Sequence, residues 1–425
     1  MSNLFGLARM TVSSSGAGSI TLNSAVSGFL DFDTSYNLTL GSSIPIGGIS
    51  VDYSINDTTA SEASFGTYTS SNKVLTRGSS ALNQMVSTNG GSPINMSNGA
   101  QVFVTPTAVH YNQLTGKNKI INGAMDIDQR NNGAAQTFTA GNAVAYCVDR
   151  FYAACSGTNV TGQQTPYSYN GFNYSYVFTG LAANTGVLFG QRIESKNSYD
   201  VSLSGGPNVT FSVFLATSAG ATITWTAYSA NSTDNFSAKT SIATGTFVTT
   251  SLMEQYTAVF SALGAGSTGI AIEFTIPLLL ALATWQITGL QVEAGSVSTP
   301  FEHRQYGTEL VLCKRYLPAF YSGGVVSILP FTGTAINTTS CYGVMVVDVK
   351  PRVGPTGVTV SNIAYCSVTD QTANTVCTSL GLASSNSGDA IYMVFSAASG
   401  LTQYHSYGLF FNNAAGQLFF TGCEL

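Results

Sequence analysis

The stretch Trp285–Pro318 (WQITGLQVEAGSVSTPFEHRQYGTELVLCKRYLP) dictates three things in order: a strand, a break and a short helix. Trp285, Ile287, Gly289, Gln291 and Glu293 fall on one side of an extended segment, because successive strand side chains alternate; Gln286, Thr288, Leu290 and Val292 fall on the other. Gly295-Ser296 interrupts the run. Thr308 then suits a helix N-cap, with Glu309 in the favourable first turn. Leu310, Cys313 and Leu317 recur at helical spacing. Lys314 and Arg315 complement the helix C-terminus, and Pro318 ends it.

On either side the chain is written in short alternating runs. Before residue 107 these include Ser19–Leu22, Phe29–Phe32, Ile49–Ile55, Thr67–Thr69 and Gln101–Val104, parted by Gly, Asn and Ser. Regular short strands with such punctuation predict a small sandwich or barrel. Asp31, Asp33, Asp52 and Asp57 match no calcium loop and read as solvated turn carboxylates. Thr105–Lys119 reads as a linker carrying Pro106 and His110. Val209–Leu215, Ala221–Trp225, Tyr256–Phe260 and Ile270–Phe274 read as strands of one larger sandwich. Its most apolar run, Ile276–Trp285, is too short to span a bilayer and reads as buried core. Beyond the helix, Val344–Val349, Gly357–Val360, Ala390–Phe395 and Gly416–Leu425 are further strands.

The fold class is therefore all-β: successive β-sandwich, jelly-roll-like domains with one short helix before a terminal β tip. A chain of 425 residues divides into roughly three domains. The boundaries fall at 1–107, a linker at 108–118, the central sandwich at 119–302, the helical connector at 303–318 and the tip at 319–425.

Within the sandwich, Tyr167-Ser168-Tyr169-Asn170-Gly171-Phe172-Asn173-Tyr174 carries the strongest local signal, Asn-Gly between alternating runs. It predicts a type I′ hairpin pairing Tyr169 with Phe172 and Tyr167 with Tyr174. Such an aromatic ladder offers flat apolar faces with polar edges, suited to stacking a sugar ring. It also suits plain sandwich core with tyrosine hydroxyls at the rim. In the tip, Tyr404, His405, Tyr407 and the loop near Gln371 are candidates for an outside contact.

Charge limits the functional classes. Only 8% of residues are charged, against roughly 25% in ordinary domains, and Ser, Thr and Asn take the polar positions. The net charge of −5 leaves no basic footprint for nucleic acid. A hydroxyl-rich, ion-poor surface suits burial between subunits, or work outside the cell among sugars. The start, MSNLFGLARMTVSSS, lacks an apolar run of signal length, which predicts assembly in a cytoplasm, release by another route and no membrane insertion.

Seven cysteines are too few for a disulfide scaffold, and their odd number leaves one unpaired. Cys366 and Cys377 flank a hairpin-like stretch and would face each other there, as a bridge or as buried thiols. No C-x-x-C motif supports zinc, no phosphate loop occurs, and no Gly-x-Ser-x-Gly elbow accompanies the three histidines (110, 303, 405). Asp126 and Asp128 share a strand face, but Asp-x-Asp at a strand end reads as a turn rather than a hydrolase pair. Glu302-His303-Arg304 reads as a structural ion pair.

Several motifs, in order over about 200 residues, resemble a domain common in bacteriophage tail-fibre and related virion appendage proteins: Lys117–Arg130 (KNKIINGAMDIDQR), Cys147–Tyr152 (CVDRFY), Gly190–Glu194 (GQRIE), Gln291–Gly295 (QVEAG) and Tyr306–Tyr316 (YGTELVLCKRY). In the first domain, Gly66–Ser70, Val74–Arg77, Ile94–Ser97 and Gln101–Thr105 are similar to a phage module, and the tail is similar to the terminal module of such fibres. The resemblance implies a carbohydrate-binding jelly-roll within a virion structural protein, usually a homotrimer. The expectation is a non-enzymatic tail or neck fibre for host attachment. It would have no cofactor or metal and would join other virion proteins through the N-terminal domain. A host-surface glycan would be its outside ligand, held by three weak copies of one site. The rival is an architectural capsid or collar decoration protein that binds only other virion proteins.

Overall fold

A computed structural model describes residues 6–40, 43–77, 85–90, 92–105, 116–182, 184–202, 208–261, 265–295, 298–323, 327–383 and 390–425. His110 and most of the expected linker lie outside these described residues, as does Ser296. The chain divides into two compact units: residues 1–118 with 208–210 and 293–302, and residues 119–207, 211–292 and 303–425. Residues 319–425 thus share a unit with the central sandwich. The all-β class holds in both.

The first unit is a closed antiparallel barrel. Strands Ile49–Asp57, Gln101–Val104, Arg9–Val12, Ile20–Ala25, Val74–Thr76 and Ala60–Thr69 follow one another, and the last pairs back with the first. Closure leaves no free sheet edge among these six. Alternate residues fill the interior: Met10, Val12, Ile20, Leu22, Val51, Tyr53, Ile55, Tyr68, Leu75 and Val102. Glu62 is also inside, paired with Arg77 and accepting from the Tyr53 hydroxyl (2.7 Å) and the Ile94 N–H (3.0 Å). A buried carboxylate persists only when its oxygens are matched in this way.

Two expectations are corrected here. Phe29–Phe32 is not a strand: Asp31 accepts the Thr34 N–H at 2.8 Å and caps the helix Phe32–Leu40. Asp52 is not solvated but buried, at 2% exposure.

In the second unit, residues 119–302 contribute two six-stranded sheets. One runs Asn235–Thr249, Ala221–Ser232, Ile270–Ile276, Gly186–Ile193, Phe151–Ser156, Ala145–Tyr146. The other runs Glu254–Phe260, Val209–Thr217, Thr284–Ala294, Phe172–Gly180, Val160–Tyr169, Gln136–Phe138. Aromatic rings fill the space between them. Trp285 stacks on Phe178 (5.4 Å), Phe178 meets Phe189 edge-on (5.7 Å), and Phe211 meets Trp225 (5.0 Å) and Phe274 (5.8 Å). Edge-to-face and offset arrangements are the favoured ones for such rings.

The alternation read from Trp285 onward breaks at Gly289, which has a φ of +62° within the strand; from Ile287 to Glu293 both faces are buried. Ile276–Trp285 is not uniform core either. Ile276, Leu279 and Trp285 are buried, whereas Leu278, Leu280 and Leu282 are exposed. The helix spans Tyr306–Lys314 with Gln305 at the N-cap position, three residues before the expected Thr308, which lies inside the helix.

Residues 319–425 close a second barrel: Ser406–Phe411, Phe331–Ala335, Ser340–Val346, Ala390–Ala397, Asn374–Leu382 and Cys366–Thr369, with the last strand pairing back to the first. Phe331, Cys341, Met345, Cys366, Val368, Cys377, Met393, Phe395, Leu409 and Phe411 occupy its interior. All seven cysteines are free and buried. The register Ser367↔Val376 brings the Cys366 and Cys377 positions opposite each other as thiols. Burial pushes them up to about 11 and about 12.

Candidate functional site

The Asn-Gly signal does what its chemistry allows. Asn170 and Gly171 both take positive φ, 51° and 85°, and Tyr169 pairs with Phe172. The second predicted pair does not form. Pro166, not Tyr167, lies opposite Tyr174, because the register shifts by one residue between Pro166 and Tyr169. Pro166 has no N–H to give the ladder, and a bulge is where a sheet tolerates that.

The shift leaves Tyr167 beside Tyr169, with ring centroids 6.0 Å apart. Tyr169, 43% exposed, meets Phe214 edge-on at 6.3 Å. Phe172, 2% exposed, lies 5.2 Å from Phe214 and 5.2 Å from the His303 ring. Gly289 makes room: a Cβ there would stand 2.5 Å from Phe172 Cζ and 2.7 Å from Phe214 Cδ2. Phe214 was not singled out from sequence, and His303 only as part of an ion pair. They arrive from elements 42 and 131 residues beyond Phe172 (214 − 172; 303 − 172), a contact no local pattern encodes.

The result is an exposed and a half-buried tyrosine beside the buried rings of Phe172 and Phe214, with the exposed His303 ring at their edge. Burial lowers the His303 pKa, and burial together with Tyr169 raises that of Tyr167, so the neutral forms are favoured. Within the Glu302-His303-Arg304 stretch, Arg304 forms an ion pair with Glu309 at 3.3 Å. Neutral rings with hydroxyl edges can stack against the C–H face of a saccharide while the hydroxyls hydrogen-bond at its rim. Tyr174 is half-buried on the neighbouring strand, and its carbonyl accepts from Thr288 (2.8 Å).

The other predicted set separates. Tyr404 is exposed, with φ 66°, and His405 Nδ1 lies 3.3 Å from Asp370 Oδ2, next to Gln371. Hydrogen bonds from Thr372 and Ala373 hold Asp370 well below the usual carboxylate range. Tyr407 is not a surface residue: it is 3% exposed, and its hydroxyl oxygen accepts the Thr402 N–H at 2.9 Å. The alternation Tyr407, Leu409, Phe411 points it into the barrel.

The motif residues that carry the fibre resemblance converge elsewhere, on a buried polar hub. Asn122 donates to the Ile127 (2.8 Å) and Asp149 (3.0 Å) carbonyls, and its N–H to Glu309. Asp149 accepts from the Gln129 N–H (2.9 Å) and Nε2 (2.6 Å). Arg150, also at positive φ (72°), pairs with Glu424 and lies 3.5 Å above the Tyr316 ring. Arg130 joins Glu424 at 3.0 Å, and Glu194 accepts from Arg315 (2.9 Å) and Tyr316 (3.0 Å). Asp128 accepts N–H groups of Gly133 (2.9 Å) and Asn131 (3.2 Å), which makes it a turn carboxylate. Asp126 is half-buried and pushed up to about 6 by burial and then by Glu309. Among the described residues no group of three or more His, Cys, Asp or Glu is placed to hold a metal, and no helix is long and apolar enough to cross a membrane.

The chain matches no family profile and none of the curated proteins. Among solved structures it is similar to the enzymatically active domain of bacteriophage CBA120 tailspike protein 4 (13% identity, 42% of this chain, 21% of that chain, TM-score 0.27). It is also similar to the C-terminal family 22 carbohydrate binding module of Clostridium thermocellum Xyn10B (10% identity, 38% and 99%, TM-score 0.27) and to the N-terminal cellulose-binding domain of a Cellulomonas fimi β-1,4-glucanase (12% identity, 39% and 90%, TM-score 0.23). At these identities and scores the likenesses carry no weight for function.

Proposed function

We propose that this chain is a structural component of a virion appendage, a homotrimeric tail or neck fibre that binds a host-surface saccharide without cleaving it. The observation that carries the binding role is the aromatic cluster at the hairpin end, with Tyr167 and Tyr169 at the surface over Phe172, Phe214 and His303. A neutral aromatic seat in an ion-poor chain favours an uncharged ligand held by stacking, and it gives no grip to nucleic acid. The order of the five motifs supports the virion assignment. In this reading the first barrel attaches to the particle, and threefold repetition converts a weak site into useful avidity. Asp128, committed to its turn, supports binding without hydrolysis.

A glycan array probed with the whole chain and with Tyr169→Ala tests the binding role. Retention of a saccharide by the wild type and its loss in the variant is the expected result. Retention of none by a folded wild type removes the receptor role and leaves an architectural virion component. A fall in viscosity of a retained polysaccharide would show cleavage, and its survival in Asp126→Ala would exclude Asp126 from it.

A further inference from the structure

The end of the sandwich opposite the hairpin tip carries an apolar rim. Strand Phe172–Gly180 runs from one to the other, and the loop after Ile276 crosses between the sheets there. Leu181 (54% exposed), Leu278 (49%), Leu280 (51%) and Leu282 (84%) stand at this end, with Leu252 (69%) on the 250–253 turn. That turn is joined to the same end by the Thr217 N–H to Thr250 carbonyl bond (2.9 Å).

The loop is fixed rather than slack. Asn184 accepts the Leu279 N–H (3.2 Å) and donates to its carbonyl (3.1 Å). The Leu282 N–H donates to the Gly180 carbonyl (2.8 Å), and the Gly180 N–H to the Ala283 carbonyl (3.0 Å). Leu282 has φ +63°, the left-handed region that L-residues with a side chain rarely adopt. The fold therefore bears backbone strain to hold a leucine out in water, where its side chain gains nothing in the isolated chain.

We infer that this leucine rim is a self-association surface, covered by the same rim of another copy of the chain. The inference rests on the fibre reading for the number of copies but not for the surface itself. Two observations select the occupant. No charged residue occurs from 274 to 292, and Thr217, Ser218, Thr250 and Thr284 are hydrogen-bonded together at this end. Among the described residues the one charge beside the rim is Glu254, whose carboxylate accepts from Thr250 and Tyr256 at the Leu252 turn. The four leucines at 181, 278, 280 and 282 therefore offer little to a partner recognised by charge, whereas a second copy brings an equally apolar rim to the same place. The four leucines at 181, 278, 280 and 282 also expose more surface than two wholly free leucines would. With Leu252 that makes a patch of several hundred Å², the size that marks an association site and about half of one partner's share of a stable interface.

The test uses the whole chain with Leu280→Asp and Leu282→Asp together, read by native mass and sedimentation against the wild type. Circular dichroism and melting confirm that the variant is folded. A second variant, Leu282→Gly, removes the side chain while relieving the φ strain. The expected result is an assembled wild type whose dissociation constant rises about 100-fold or more in the double variant, with Leu282→Gly also weakened but no less stable as a subunit. An assembly indifferent to both variants overturns the rim and leaves the fibre reading standing. A wild-type dimer lost in the double variant keeps the rim and overturns the trimer. A wild type that stays monomeric overturns both, as does a monomer whose leucines bind neutral phosphatidylcholine vesicles instead.

Discussion

The polar hub and the hairpin-end cluster sit in one compact unit and use opposite chemistries. The hub gathers Arg130, Arg150, Arg315, Glu194, Glu309 and Glu424 out of a chain with only 15 basic and 20 acidic residues. The cluster is neutral. The hub is built largely from the motif residues that carry the fibre resemblance; Tyr167, Tyr169, Phe172 and Phe214 belong to none of those motifs. The difference separates two kinds of information. The recognisable motifs specify how the helix Tyr306–Lys314 and the last residues dock onto the sandwich. In the proposed reading, ligand choice falls to residues outside them, at the hairpin end.

The sharpest way to break this division is Arg150→Ala. Arg150 and Glu424 side chains are 2% and 9% exposed, so removing the arginine breaks a buried pair and leaves Glu424 with Arg130, costing up to about 3–5 kcal/mol. Denaturant melts should show that loss, while any chain that remains folded keeps its saccharide affinity. An equal loss of affinity at constant foldedness would mean that hub and site are not separate. Next in size is Gly289→Ala, where a Cβ meets two cluster rings and φ is positive. A cost of about 1–3 kcal/mol follows from overpacking, and here affinity should fall as well, because Phe172 and Phe214 must move.

Much of this was legible in the sequence, for reasons that depend on distance along the chain. Strand alternation and the Asn-Gly turn are local, so the hairpin and the Tyr169–Phe172 pair were readable. Asp31 and Thr34 hold a helix cap that the alternation of Phe29–Phe32 obscured. Tyr407 was placed outside although Tyr407, Leu409 and Phe411 already shared a face. Barrel closure was not legible, because it depends on pairing first and last strands, as in Ser367↔Phe410. Nor was the exposure of Leu278, Leu280 and Leu282, since an apolar run states what a segment would gain by burial and not whether the fold buries it.

A pH-dependent effect sharpens the hub from another side. Burial is the first cause that pushes Asp149 up to about 7, ahead of the opposing Arg130 charge. Because its folded value lies above the unfolded one of about 3.9, the folded chain holds the extra proton between those limits. The Asp149 penalty is therefore fully present above pH 7 and is relieved as pH falls toward 4. Stability should rise on acidification by up to about 1.4 kcal/mol per pH unit from this group. The difference between wild type and Asp149→Asn isolates it, and a difference that does not vary from pH 8 to pH 5 would remove the group from the linkage.

The smallest change in stability belongs to the cluster, and it carries the comparison furthest. Tyr169 is 43% exposed and, among the described residues, makes ring contacts with Tyr167 and Phe214, so Tyr169→Ala should move the melting midpoint little. Loss of one stacked ring is worth about 0.5–1.5 kcal/mol, which is roughly 2- to 10-fold in saccharide affinity. Titration of the wild type and variant with a retained saccharide gives that ratio directly. Tyr169→Phe keeps the ring and drops the hydroxyl. If it binds like wild type the contact is stacking. If it binds like alanine, the hydroxyl edge is the recognised feature and a ligand defined by hydrogen bonds replaces one defined by its apolar face.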